Sequence, residues 1–336
     1  MLYDKKHIYL RSPLRISFAG GGTDLESFYS GGESGHVVSS TIDLYNYVSI
    51  KDMFDSNVRV HHAEIETESI TSRIKHPYSR TALEHYGIFK GAEVILTSDV
   101  MTTGSGLGAS SAMMSGLIMG CSCLRDKKIK NKNEHSELTY KLEAEAGTVG
   151  GRQDQYATVF GGLNSITFSK NKISVRKVNI SDENLKQLEG RMFLVFTNMA
   201  RENKIIQENL GLNILNNDKL KYFLELRTLS YELLNLLESK NFRLNDTGKL
   251  LHESWKLKKS TNGSATNPFI DQLYEALRKK GVIGGKVLGA GGGGFLLAIA
   301  SDAKMKEKIK YELYPNFIAL DVKLSKKGTE ILWKNF

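Results

Sequence analysis

Gly104-Ser105-Gly106-Leu107-Gly108-Ala109-Ser110-Ser111-Ala112 is the stretch on which the reading of this 336-residue chain turns. A strand-like run, Ala92 to Thr97, precedes it. Met113 to Leu124 follows without a proline or a charge, the pattern of a buried helix. Alternate glycines allow a tight turn with φ > 0 and a close approach of the backbone to a ligand. Ahead of a helix, the loop's N–H groups add to the positive end of the helix dipole, which suits a phosphate. No Lys-Ser or Lys-Thr follows the glycines, so the P-loop lysine is missing and any cation must come from elsewhere. The same glycines are also compatible with a sharp strand-to-helix turn and nothing more.

Upstream, His7 to Ser12 and Leu14 to Ala19 read as two strands joined through Pro13, and Val37 to Ile42, Tyr45 to Lys51 and Val58 to His61 as three more. Ser79 to Phe89 has helical spacing, with Leu83, Tyr86 and Phe89 on one face. Downstream come helical patterns over Asn133 to Ala146 and Arg152 to Phe160, then strands over Leu163 to Phe168, Ile173 to Val178 and Met192 to Thr197. Long amphipathic helices follow over Glu202 to Leu215, Asp218 to Ser239, Asp246 to Ser260 and Pro268 to Lys280. Strands over Val282 to Leu288, Phe295 to Ala300 and Phe317 to Val322, a helix over Ala303 to Leu313 and a short strand at Thr329 to Trp333 complete the chain. Early strands and later helices predict an α+β protein with a boundary near Ser181 to Arg191, giving domains at 1–185 and 186–336.

The net charge of +9 comes from 46 Lys and Arg against 37 Asp and Glu, spread along the chain. Asp126 to Lys132 is the one basic run and has no interleaved aromatics, so a nucleic-acid partner is not expected. Cys121 and Cys123, two apart, point to different faces of a helix and make a poor disulfide or metal pair. Leu107 to Leu124 has the length of a membrane span, but its serines and glycines keep its hydrophobicity low. The expectation is a soluble, cytoplasmic protein with no membrane partner. His61-His62 is adjacent rather than spaced, so no zinc site is expected.

Two further glycine runs stand at Gly20 to Gly22 and Gly289 to Gly294. The second satisfies GxGxxG, yet Phe295 to Ala300 continues it as a strand, where a dinucleotide fingerprint must open a helix. Taken in order, Arg11 to Asp24, Gly104 to Ala112 and Lys286 to Phe295 resemble the three motifs of the GHMP small-molecule kinases, and the resemblance covers essentially the whole chain. With Gly151-Arg152-Gln153-Asp154-Gln155-Tyr156-Ala157, their form is similar to the heptose 7-phosphate and fucose kinase branch.

That resemblance implies a first domain like ribosomal protein S5 domain 2, a ferredoxin-like second domain with added helices, and the cofactors ATP and Mg²⁺. It implies transfer of the γ-phosphate to the anomeric hydroxyl of D-glycero-D-manno-heptose 7-phosphate, giving the 1,7-bisphosphate on the route to GDP-heptose. Kinases of another sugar such as fucose, or a silent sensor on the same fold, are the alternatives. A homodimer is compatible with it.

By the same resemblance, Asp154 stands beside the reacting hydroxyl as base or orienting group, and Arg15 supplies a cation near the γ-phosphate. Gly104, Ser105, Gly106, Leu107, Gly108, Ala109, Ser110 and Ser111 cradle ATP. Ser111 and a carboxylate ahead of Gly147 hold the metal; Glu143 is favoured over Glu145. Gly22, Thr23 and Asp24 are expected on the sugar, with Gly291 and Gly292, while Arg201, Lys258 and Lys259 are candidates for its phosphate. Each of these three cations is equally compatible with a solvated surface.

Overall fold

A computed structural model describes residues 6–101, 104–148, 150–199, 211–214 and 217–335, with 217 by its backbone alone. The first strand, β1 (His7–Ala19), runs unbroken through Pro13. Pro13 is tolerated because it lies where the β1 register shifts and beyond the end of the pairing on the strand's other side. Its partner β2 (Gly35–Asp52) is equally continuous, so each pair of short strands read from the sequence is one long strand.

A short helix, α1 (Glu26–Tyr29), follows β1; β3 (Val58–His61), β4 (Ile65–Glu68), α2 (Pro77–His85) and β5 (Ala92–Ser98) follow β2. After the glycine loop come α3 (Ala109–Leu124), α4 (Lys132–Glu145), α5 (Gln153–Phe160), β6 (Leu163–Ser169) and β7 (Lys172–Lys177). The expected boundary at 181–191 is itself a helix, α6 (Asp182–Arg191), with Ser181 Oγ accepting from Asn184 N–H as its cap. The remainder is β8 (Met192–Phe196), α7 (Asn217–Glu238), α8 (Leu244–Thr261), α9 (Pro268–Lys279), β9 (Val282–Val287), β10 (Phe295–Ala300), α10 (Ala303–Leu313), β11 (Ala319–Leu320) and β12 (Glu330–Asn335). Only Ala319 and Leu320 of the run expected as a strand at 317–322 are in one.

The fold is mixed α/β with two sheets. In the larger the order is β12-β1-β2-β5-β3-β4, with β6 and β7 continuing from the first half of β2; in the smaller it is β11-β8-β10-β9. Thus the last strand returns to lie beside the first. One apolar cluster joins the two sheets, from Leu14 and Ile16 on β1 through Leu194 and Leu297 to Leu251 on α8. Helix α3 lies on β1 and β2 at short range: a Cβ on Gly116 would meet Val48 Cγ2 at 2.8 Å, and one on Gly120 would meet Ile50 Cγ2 at 2.8 Å. The small residues that lowered this helix's hydrophobicity are therefore its packing surface. Among the described residues, no helix is long and apolar enough to cross a membrane. Leu83 on α2 and Tyr86 at its C-terminal cap are buried as expected, whereas Phe89 falls beyond the helix and is 53% exposed.

Candidate active site

The N-terminal end of α3 opens into a cleft of ≈ 480 Å³ between the first strand, the glycine loop, α5 and β9. Gly104, Gly106 and Gly108 all have positive φ, and Gly108 (φ 71) is the residue on which the loop enters α3. The loop is fixed from both sides: Arg15 N–H donates to Leu107 O at 2.8 Å, and Phe295 N–H donates to Ser105 O at 2.9 Å. Gly104, Ser105, Gly106, Gly108, Ala109, Ser110 and Ser111 line the cleft, while Leu107 turns into the core.

Arg15 and Asp154 meet in the cleft. Arg15 Nε donates to Asp154 Oδ1 at 2.7 Å and Nη2 to Oδ2 at 2.6 Å, while Nη1 donates to Gly106 O. The arginine side chain is 3% exposed, so this forked pair works in a weakly screened setting. A Cβ on Gly108 would stand 3.1 Å from Arg15 Cγ and 3.3 Å from Asp154 Oδ2; the glycine keeps the loop against the pair.

Glu143 on α4 is buried, accepting at Oε2 from Ser111 Oγ and from Gln155 Nε2, each at 2.6 Å. Its other oxygen, Oε1, has no hydrogen-bond partner among the described residues, and burial pushes the carboxyl up to about 7. A buried carboxylate with one open oxygen, beside a serine hydroxyl, fits a hard cation such as Mg²⁺. Glu145, the other candidate, is half exposed and faces Lys141.

Asp24 is held by Gly22 N–H at 2.8 Å and Gln153 N–H at 3.2 Å. Burial first, and Asp154 second, hold its carboxyl above the usual range. Gly151 is obligatory here, since its Cβ would lie 1.9 Å from Asp24 Oδ2. Gly22 and Asp24 line the cleft. Thr23 does not; its hydroxyl donates to Gly20 O and accepts from His36 N–H, fastening the turn. Gly291 and Gly292 pack on Ala265, with Gly292 N–H donating to Ala265 O at 2.7 Å, rather than lining the cleft. Lys259 pairs with Asp271 at 3.1 Å outside the lining, whereas Lys258 lines it, its Nζ donating to Val287 O and Gly289 O. Arg201, together with most of the helix expected over 202–215, lies outside the described residues.

Ser17, Gln153, Gln155 and Lys286 are among the lining residues that sequence reasoning did not single out for a role. Ser17 Oγ and Gln153 Oε1 are buried at the Asp24 end without partners among the described residues, Gln155 fixes Glu143, and Lys286 is buried on β9. A lysine in the strand Val282–Val287, otherwise made of valine, isoleucine and glycine, was the available signal for the last. Among the described residues there is no cluster of three or more His, Cys, Asp or Glu side chains that could hold a metal.

The chain matches the sequence profiles of both halves of one family: GHMP kinases N terminal domain over residues 74–162 and GHMP kinases C terminal over 233–318. It is 29% identical to the D-glycero-alpha-D-manno-heptose 7-phosphate kinase of Campylobacter jejuni, over 97% of this chain and 98% of the relative. A D-glycero-D-manno-heptose 1-phosphate kinase from Bacteroides thetaiotaomicron shares the fold with a TM-score of 0.78 at 21% identity, over 99% of each chain. A galactokinase from Lactococcus lactis, solved with galactose, does so with a TM-score of 0.74 at 20% identity, over 97% of this chain and 95% of that one.

Proposed function

This chain belongs to the GHMP kinase family and is a sugar phosphotransferase, and from that premise we propose that it transfers the γ-phosphate of ATP to the anomeric hydroxyl of D-glycero-D-manno-heptose 7-phosphate. The observation that carries the reading is the forked Arg15–Asp154 pair held against a glycine loop at a helix N-terminus. The choice of sugar is supported by the full-length likeness to a heptose 7-phosphate kinase.

In this account the loop from Gly104 to Ser111 takes the phosphates of ATP on its N–H groups. The Asp154 carboxylate orients the sugar hydroxyl and accepts its proton as the oxygen–phosphorus bond forms and the bond to the ADP oxygen breaks. Arg15 holds that carboxylate in place through its two hydrogen bonds. Asp24, Ser17 Oγ and Gln153 Oε1 offer polar atoms to the remaining sugar hydroxyls. Ser111 and Glu143 would hold Mg²⁺, which when bound neutralises charge on the phosphate oxygens. Lys258 is the cation we assign to the sugar phosphate among the described lysines that line the cleft.

The position of transfer is tested by ³¹P NMR of the product. A second phosphorus signal coupled to the anomeric proton is expected; phosphate on any other hydroxyl would refute the assignment.

A further inference from the structure

Lys286 is 3% exposed, and its strand is pressed from both sides. A Cβ on Gly284 would lie 1.7 Å from Gly248 O of α8, and one on Gly285 would lie 2.3 Å from Leu297 O of β10. Lys286 lines the cleft, and among the described residues its Nζ has a single long hydrogen-bond contact, Phe18 O at 3.4 Å. An ammonium group so deeply buried ordinarily has a charged or well-placed polar partner. The charged groups around it are Arg15 on β1 and Asp24 beyond it; Asp154 on α5 lies behind Arg15, and Lys258 on α8 is bonded to the carbonyl of the next residue, Val287.

Arg15 already directs its fork at Asp154 and its Nη1 at Gly106 O. The cation expected from sequence near the γ-phosphate is thus engaged with the carboxylate, and a second one stands beside it. We propose that Lys286 is the catalytic cation that meets the phosphoryl group under transfer, and that Arg15 acts through Asp154 as a positioning residue. This rests on the kinase reading and deepens it. Burial, with Arg15 adding, pushes the Lys286 amine down to about 7, while Asp24 opposes the shift. An arriving phosphate favours the charged amine, so the positive charge is drawn in with the nucleotide rather than stranded in the empty cleft.

The test is calorimetric titration of the full chain with Mg²⁺-ATP and with Mg²⁺-ADP, without sugar. Lys286→Met is expected to bind ATP about tenfold more weakly, the loss of one charge-assisted contact, and to bind ADP as the wild type does. Lys286→Arg keeps the preference for ATP. An unchanged ratio of ATP to ADP affinity in Lys286→Met overturns the proposal. Because no sugar is present, this outcome is separate from failure of the heptose assignment, which would show as absent turnover of heptose 7-phosphate by the wild type. Should Lys286→Met not fold, the wild type and Lys286→Arg decide the matter. Wild-type ATP affinity is expected to fall as pH rises above about 7 while that of the arginine variant holds, because arginine keeps its charge. Parallel pH dependence in the two overturns the proposal.

Discussion

Asp154 receives both ends of the Arg15 fork, at 2.7 and 2.6 Å, so the carboxylate proposed to handle the proton is anchored in position before any sugar arrives. Asp154→Asn keeps the shape and loses the negative charge. Its kcat is expected to fall about a hundred- to ten-thousandfold, the range for loss of a general base. ATP affinity by calorimetry and the far-ultraviolet circular dichroism should stay at wild-type values. Near-normal turnover would remove the role given to Asp154.

Arg15→Met leaves the Asp154 carboxylate, 23% exposed, without its counterion. Urea unfolding should show a loss of about 2–4 kcal/mol, below the full cost of stranding a wholly buried charge. The double variant Arg15→Met/Asp154→Asn should recover part of that loss, since the two residues form one interacting unit. Strictly additive losses would contradict a direct pair.

Gly294 joins the third glycine run to the phosphate loop. Its φ is +82, and a Cβ would stand 2.4 Å from Gly104 O and 2.5 Å from Ser105 O. Gly294→Ala should therefore displace the loop, costing about 2 kcal/mol or more in stability and weakening ATP binding. Unaltered ATP affinity in a folded Gly294→Ala protein would uncouple the third motif from the nucleotide.

His36 sits between β2, β6 and α7, bonded through Nδ1 to Ser230 Oγ and through Nε2 to Ser165 Oγ, and stacked on Tyr231 at 3.9 Å. Burial, with Arg176 adding, pushes it down to about 4. The fold favours the neutral ring, so its contribution is complete above the unfolded value of 6.5 and is lost as pH falls through 4. That window is worth on the order of 3 kcal/mol. His36→Gln should flatten the fall in unfolding free energy between pH 7 and pH 4.5, with the remaining slope carried in part by His76 and His135, which burial also lowers to about 4. An identical slope in the variant would show that His36 does not titrate with unfolding.

What could be read from the sequence was whatever repeats a local physical rule. The glycine loop, the uncharged helix after it and the carboxylate opening α5 each have a pattern within a dozen residues, and all three meet at the cleft. Lys286 stood out only as the one charge in an otherwise apolar strand and Gln155 not at all, because their importance lies in what packs beside them from other parts of the chain. The choice between Glu143 and Glu145 turned on which helix face met Ser111, and only tertiary packing of α4 on α3 fixes that. Pro13 suggested a break that the sheet absorbs at a register shift, and α6 was hidden by its high polarity in a stretch read as a boundary.

The proposed reaction is tested most directly by ADP release from the pure protein with ATP, Mg²⁺ and a panel of free sugars and sugar phosphates that includes fucose. D-glycero-D-manno-heptose 7-phosphate is expected to give the highest kcat/KM of the panel. Turnover of fucose or another free sugar, with none above background for any heptose phosphate, would contradict it.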